Sequence, residues 1–508
     1  MRHPPGLILD DAHNRALIEN VHPPGWRNPE PARRYHLVVV GAGTAGLVTA
    51  AGAAGLGARV ALVERQFMGG DCLVTGCVPS KALIRSSRVV GELRAAAALG
   101  VKVPEGLTID FGAVMERVRR LRAEISPHDS AWRFSRELGV DVFLGEAVFS
   151  GPDRVTVAGH TLRFARAVVA SGARPGHPPI PGLAEAGFLT SETVFEQTER
   201  PAHLAIVGGG PTGCELAQAL QRLGAEVTLL SDAPQLLPSE DPDAAEIVRQ
   251  ALLRDGVRVV LGAAIASVAR AGTRKVLRYQ AGGPEDAVTA DEILVSTGRV
   301  PNVEGLGLEA AGVGYTREGI VVDDYLRTTN RRIYAAGDVC LGWKFTHAAG
   351  AAARIVVQNA LFGLAGRRRL SRLVMPWCTY TDPEVAHVGL NERQARERGL
   401  AVDTLVRHLA DVDRARTDGE TEGFVKVHVR RGTDRIVGAT IVARRAGEMI
   451  SEVTLAIVAG VGLGRLSGVI HPYPTQAEAV RHLADQHRRT RLTPFVRGAL
   501  GTWLRWIR

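Results

Sequence analysis

Residues 35–46 read Tyr-His-Leu-Val-Val-Val-Gly-Ala-Gly-Thr-Ala-Gly. An apolar run that breaks at a glycine is a buried strand, and G-x-G-x-x-G after it opens a helix. Gly41, Gly43 and Gly46 allow a tight turn and a close approach of backbone to a pyrophosphate, whose charge then sits on the helix N-terminus. A second strand at 59–63 ends in Glu64, 23 residues after Gly41. A carboxylate there meets a ribose 2′-hydroxyl. Strand, loop, helix and acid together predict a dinucleotide-binding α/β unit.

Working outward, the same construction returns at 203–213: His-Leu-Ala-Ile-Val, then Gly208-Gly209-Gly210-Pro211-Thr212-Gly213. Counting the same distance from Gly208 lands on Ser231, followed by Asp232, with no Arg close by. A carboxylate at this position favours NAD and an arginine favours NADP. The choice between NADH and NADPH stays open, with Asp232 opposing a 2′-phosphate. These two strand–glycine–helix units are the internal repetition of the chain.

Between them lies Asp71-Cys72-Leu73-Val74-Thr75-Gly76-Cys77-Val78-Pro79-Ser80-Lys81. The thiolate is the reactive form of cysteine, and a helix N-terminus or a nearby lysine lowers a thiol pKa. A zinc site wants two further ligands, and no CxxC or HxxxH is present to supply them. The pair reads as a redox-active dithiol.

The chain has 508 residues, 45% hydrophobic and 23% charged, which predicts two to four globular domains. The net charge of +9 is concentrated in local clusters such as Arg367-Arg368-Arg369 and the final stretch. No nucleic-acid-binding motif accompanies it, so we expect no nucleic-acid partner. Five cysteines form no disulfide framework, which fits a reducing, cytoplasmic setting. We read no signal peptide and no apolar run of about 18 residues able to span a bilayer.

At this point the chain resembles the flavin-dependent pyridine nucleotide–disulfide oxidoreductases. The resemblance runs from about residue 35 to about 485. It rests on the first GxGxxG, C-x-x-x-x-C-V-P-x-K, the second GxGxxG followed by Glu215, Thr297-Gly298-Arg299-Val300-Pro301-Asn302, and Tyr334-Ala335-Ala336-Gly337-Asp338-Val339. It implies an α/β fold of two Rossmann-like domains, for FAD and NAD(P), plus a C-terminal α/β dimerisation domain. It implies that Gly41, Gly43, Gly46, Glu64, Gly172, Asp338 and His347 surround FAD, and that Gly208, Gly210, Gly213, Ser231 and Gly298 surround the nicotinamide dinucleotide. Cys77 would be the thiolate against the flavin, Cys72 the interchange thiol, and Lys81 and Glu215 a pair beside the flavin N5. The family builds each active site from two subunits, so a homodimer is implied.

The disulfide-reducing members carry His-x-His-Pro-Thr-x-x-Glu near the C-terminus, the second His being the acid–base partner. Here the run is His471-Pro472-Tyr473-Pro474-Thr475-Gln476-Ala477-Glu478. Tyr473 takes the histidine's place, with Glu478 behind it, and a phenol with pKa near 10 is a poor proton shuttle at neutral pH. Mercuric reductases place a tyrosine here, so a soft metal ion is the first expectation for the acceptor. The C-terminal vicinal cysteines of those enzymes are absent, and a disulfide is the alternative acceptor.

The expected domain plan is an N-terminal extension at 1–34 that wraps a surface, the FAD domain at 35–170 and 296–370, the NAD(P) domain at 171–295, the dimerisation domain at 371–487, and a basic tail at 488–508. Helical stretches are expected at 81–99 and 111–138. In the tail, Thr493 can N-cap a helix begun by Pro494, with Val496, Leu500, Trp503 and Ile507 on one face. Such a helix either packs on the protein itself or lies on an anionic membrane. The membrane alternative makes the protein a membrane-surface redox partner.

Overall fold

The structure is a computed structural model and describes residue 7 and residues 9–508. The strand Tyr35–Val40 sits between parallel neighbours Val60–Glu64 and the C-terminal half of His160–Val169, with Asp141–Leu144 beyond the former. All five residues of Val60–Glu64 are buried, as expected of a parallel strand covered on both faces. The last parallel strand, Ile333–Ala335, arrives from far along the chain and pairs with Ala167–Val169. Helix Thr44–Gly55 covers one face and packs against helix Thr346–Phe362.

The second unit has its own parallel sheet: Arg258–Leu261, Glu226–Ser231, His203–Val207 and Glu292–Val295, side by side in that order. It joins the first unit through two short antiparallel strands, Ala173–Pro175 and Arg299–Pro301. Gly172 and Gly298, both at positive φ, stand just before these strands. The C-terminal region is a five-stranded antiparallel sheet backed by helices Ala446–Ala459 and Glu478–Thr490. It leaves Leu455, Val458 and Ile470 strongly exposed on one chain.

Several expectations change. The 1–34 extension does not merely wrap a surface. Asp11 caps a helix, Ala12–Val21, that buries Asn14, Leu17 and Val21 in the core of the first unit. Residues 1–6 and 8 of that extension lie outside the described residues. The first helix starts at Cys77, not at 81, and runs to Ala95 before a 3-10 turn. The second stops at Ile125, because Ser126-Pro127 follows and proline cannot continue the hydrogen-bond ladder. Helix Thr346–Phe362 with its following turn, 346–365, is long and apolar enough to cross a bilayer by length and composition. Its alanines together with Ile355, Val356, Val357 and Leu361 carry that apolarity, and about half of the stretch is buried against helix Thr44–Gly55 and its surroundings. The tail forms the helix Pro494–Trp506, with Thr493 Oγ1 accepting from the Val496 amide and no side chain buried.

Candidate active site

The two glycine loops are held by the same contacts. A Cβ at Gly41 would lie 2.4 Å from the Ala170 carbonyl oxygen, and one at Gly46 would lie 1.8 Å from that of Gly41. In the second loop the matching distances are 2.6 Å at Gly208, to Ser296, and 1.9 Å at Gly213, to Gly208. Those four glycines are demanded by the protein's own backbone. The middle ones are not: at Gly43 the nearest atom is 3.9 Å away, and at Gly210 nothing lies within 4 Å. Their missing side chains leave a cradle in front of helices Thr44–Gly55 and Pro211–Arg222, whose first turns have no side-chain cap. That is the space and polarity a pyrophosphate needs, so the residues fit both dinucleotides.

Glu64 closes the first loop. Its carboxylate accepts from the amides of Ala42 at 2.6 Å and Gln66 at 2.8 Å. Burial pushes its pKa up despite those amides. Ser231 is buried against Gly209, and its Oγ accepts from the Ala233 amide at 3.3 Å. Asp338 is tied to Arg299 Nε at 3.5 Å, and Arg299 also reaches Asp71 at 2.9 Å. Burial raises the Asp338 pKa. Arg299 thus links Asp71, the residue before Cys72, to Asp338.

Cys72 lies in the short helix Gly70–Val74, and Cys77 is the first residue of the helix Cys77–Ala95. The Cys77 thiol pKa falls to about 6, chiefly because the Cys72 thiol donates to its sulfur. Burial opposes this, while Thr346 and the Lys81 charge assist. The Cys72 thiol, as the donor of that bond, is pushed well up. Thr346 Oγ1 lies 3.3 Å from Cys77 Sγ, at the start of helix Thr346–Phe362. His347 is turned aside, stacked on Phe345 and bonded to the Pro376 carbonyl at 2.6 Å.

Lys81 Nζ donates to Glu215 at 2.8 Å. Burial works against the Lys81 charge, but Glu215 outweighs it and keeps the ammonium above its usual range. The other Glu215 oxygen accepts from the Tyr380 amide at 2.9 Å, and Lys81 sits 4.6 Å over the Tyr380 ring. Sequence reasoning missed Thr346 and Tyr380 as members of this site. A cavity of about 400 Å³ opens here, lined by Cys77, Lys81, Arg85 and Arg117 among others. A larger one of about 600 Å³, lined by Arg354, Arg367, Arg368, Arg369 and Arg372, holds none of the candidate residues.

Tyr473 and Glu478 are placed apart from this group. The Tyr473 side chain is exposed and its hydroxyl donates to Asp413 at 3.3 Å. Glu478 is buried and bound by Arg481 at 3.1 Å, so it does not back the phenol. His471 pairs with Glu452. Among the described residues, no three His, Cys, Asp or Glu side chains gather as metal ligands.

The pyridine nucleotide-disulphide oxidoreductase family model matches residues 35–353, and the dimerisation domain of the same family matches 375–484. The chain is 36% identical over 448 residues to a mercuric reductase of Staphylococcus aureus, covering 88% of this chain and 81% of that one. It is 33% identical over 465 residues to a dihydrolipoyl dehydrogenase of Thermus scotoductus, covering 89% and 97%. Among solved structures it superposes on the HOCl-induced flavoprotein disulfide reductase RclA of Escherichia coli with TM-score 0.79 and 29% identity, over 89% of this chain and 99% of that one. The same protein has been solved as a Cu(II) complex. Family and geometry agree: the chain belongs to the pyridine nucleotide-disulphide oxidoreductases, enzymes of FAD and NAD(P)H that dimerise through their C-terminal domain.

Proposed function

We propose that this protein uses NAD(P)H to reduce a disulfide-bearing acceptor through Cys72 and Cys77. The observation that carries the reading is the placement of the dithiol: Cys72 in the short helix, Cys77 at the start of the next with its sulfur 3.3 Å from Thr346 Oγ1, and the Lys81–Glu215 pair one turn on. Bound FAD and NAD(P)H supply the hydride and electron-pair chemistry. The flavin unit is formed by 35–170 with 296–370, the nicotinamide unit by 171–295, and the C-terminal domain at 371–487 supplies the dimer contacts.

The thiol steps follow from the residues. Cys72 loses its proton and attacks one sulfur of the acceptor disulfide, whose other sulfur leaves and takes up a proton. Cys77 then attacks Cys72 in the mixed disulfide, the second acceptor thiol departs, and the Cys72–Cys77 disulfide is formed. Two electrons have passed to the acceptor. The Lys81–Glu215 pair keeps a cation beside Cys77 throughout. The Asp413 carboxylate raises the Tyr473 phenol above its usual range, so that phenol keeps its proton at neutral pH.

Soft metal ions are the second acceptor. Two thiolates are soft ligands for Hg²⁺ or Cu²⁺, and relatives include mercuric reductases and a disulfide reductase solved with Cu(II). NADH and NADPH oxidation should be measured with oxidised glutathione, lipoamide, Hg²⁺ and Cu²⁺, in wild type and Cys72→Ser. Disulfide-dependent turnover that needs Cys72 supports the first reading. Turnover with the metals alone replaces it with the second.

The tail favours an additional membrane-surface role. Helix Pro494–Trp506 leaves Phe495, Trp503 and Trp506 exposed, and 486–508 holds six arginines and no acid. Apolar side chains with only cationic neighbours match an anionic bilayer surface. Deleting residues 488–508 should abolish sedimentation with vesicles of 30% (roughly) phosphatidylglycerol. Unchanged partitioning ends that reading. We place the enzyme in the cytoplasm, where thiols stay reduced.

A further inference from the structure

The family model begins at residue 35, yet the helix before it reaches the redox segment. Asn14 is fully buried on that helix. Its amide nitrogen donates to Glu196 at 3.2 Å and to the Leu9 carbonyl at 2.9 Å, and its oxygen accepts from Arg122 at 3.1 Å. Arg122 and Glu196 are themselves paired at 2.7 Å, with side chains 0% and 1% exposed. The other terminal nitrogen of Arg122 donates to the Val74 carbonyl at 2.9 Å. Val74 lies between the two cysteines, at the end of the short helix Gly70–Val74.

The packing repeats the link. Leu73 and Val74 share one apolar cluster with Leu7, Leu17 and Val21 of the extension. The Val21 carbonyl accepts from the Met68 amide at 3.1 Å, and His22 bonds to the Gln66 carbonyl. Glu196 belongs to the turn Val194–Glu196, which leads into the second unit's first strand. One buried network therefore ties together the extension, the dithiol segment and the turn ahead of the second unit's first strand. A buried guanidinium held by a carboxylate has little freedom, so its grip on Val74 is rigid.

We propose that the Asn14–Arg122–Glu196 network positions the Cys72–Cys77 segment and thereby sets its dithiol–disulfide equilibrium. Asn14 is a positioning residue, acting on Cys72 and Cys77 through Arg122. The inference rests on the reading that these two cysteines are the redox pair.

The test is the equilibrium of the flavin-loaded enzyme with glutathione buffers, with Cys72–Cys77 oxidation read by alkylation and mass spectrometry. Each dithiol oxidised converts one oxidised glutathione to two reduced ones. Asn14→Leu keeps the branched outline of the side chain, is somewhat larger, and removes the amide. It should shift the equilibrium constant by about fivefold or more, where tenfold corresponds to about 30 mV. Asn14→Asp, which retains an acceptor for Arg122, should shift it less, and it serves as the readable variant if Asn14→Leu does not fold. Asn28→Ala is the control. Asn28 ties the extension to Leu144 of the strand Asp141–Leu144, not to the dithiol segment. It should lower Tm and leave the equilibrium unchanged. If Asn14→Leu, or Asn14→Asp in its place, lowers Tm as Asn28→Ala does and leaves the equilibrium where it was, the network is only structural and the proposal fails. If the wild-type pair never oxidises in any buffer, the underlying redox reading fails instead.

Discussion

The two glycine loops share a backbone and part company at the side chain that closes them. Gly41 and Gly208 are each pressed against a carbonyl of a neighbouring strand end, and Gly46 and Gly213 each against the loop's own first carbonyl. Packing fixes those four positions whatever is bound. Glu64 closes the first loop with two backbone amides, while the smaller Ser231 closes the second. The loop shape is thus a property of the fold, and the two loops differ one strand later, at the residue that closes them. The dithiol belongs to the first loop only: Gly70, opening the Cys72 helix, packs so closely on Gly43 that a Cβ there would lie 2.8 Å from the Gly43 Cα. The second loop contributes to the dithiol through Glu215 on its helix, which reaches Lys81.

The largest effect expected is the separation of the two halves by one methyl group each. Gly46→Ala should purify without flavin absorbance and without activity. Gly213→Ala should stay yellow and reducible by dithionite, while NAD(P)H oxidation falls by about a hundredfold or more from the misplaced dinucleotide. A colourless Gly213→Ala protein would mean that the halves are not independent.

Next comes the dithiol. Cys72→Ser should lose disulfide-dependent turnover to background while ferricyanide reduction, which takes electrons from the flavin directly, stays within about twofold. Its hydroxyl can still donate to Cys77. The Cys77 thiolate forms above its pKa of about 6 and is protonated below it, so a thiolate–flavin charge-transfer band should be present at pH 8 and lost as pH falls through about 6. Cys72→Ala removes the donor and should move that midpoint upward. Equal midpoints in the two variants would show that Cys72 is not the main cause of the lowered pKa.

A smaller effect sharpens the contrast at the closing residue. Ser231→Asp should give the second loop the acid that the first has. The ratio of kcat/KM for NADH over NADPH should rise by about tenfold, or about 1.4 kcal/mol, by repelling a 2′-phosphate. No change in the ratio would place nicotinamide selection elsewhere in the second unit. The smallest effect belongs to Tyr473→His, which puts a group of pKa near 6.5 where the phenol stands and should raise disulfide turnover by a few fold. If neither disulfide nor metal turnover moves, Tyr473 does not face the acceptor.

Local patterns were readable in the chain, and long-range meetings were not. The strands ending at Gly41 and Gly208, the acid at Glu64 and the spacing of Cys72 and Cys77 are each carried by a few consecutive or periodic residues. The contact of Cys77 with Thr346 spans 269 positions, and that of the Tyr380 amide with Glu215 spans 165. No periodicity encodes either. The helix Ala12–Val21 had a signal that the surrounding prolines obscured: Asp11 is an N-cap, its carboxylate accepting from the Asn14 amide at 2.7 Å. The break after Ile125 also had one, in Pro127. Tyr473 was legible by its spacing before Pro474-Thr475, but its partner Asp413 lies 60 positions away.

The paired strands Ala173–Pro175 and Arg299–Pro301 have a consequence for how the chain is made. By Val295 the second unit has all the strands of its parallel sheet. The first unit does not, because Ile333–Ala335 has yet to be synthesised. On the ribosome the inner body is therefore ready to fold before the outer one that began first, and the outer sheet closes around a finished neighbour. An insertion whose two ends leave side by side can be gained, lost or exchanged as a cassette, with the flanking sheet left to complete itself afterwards.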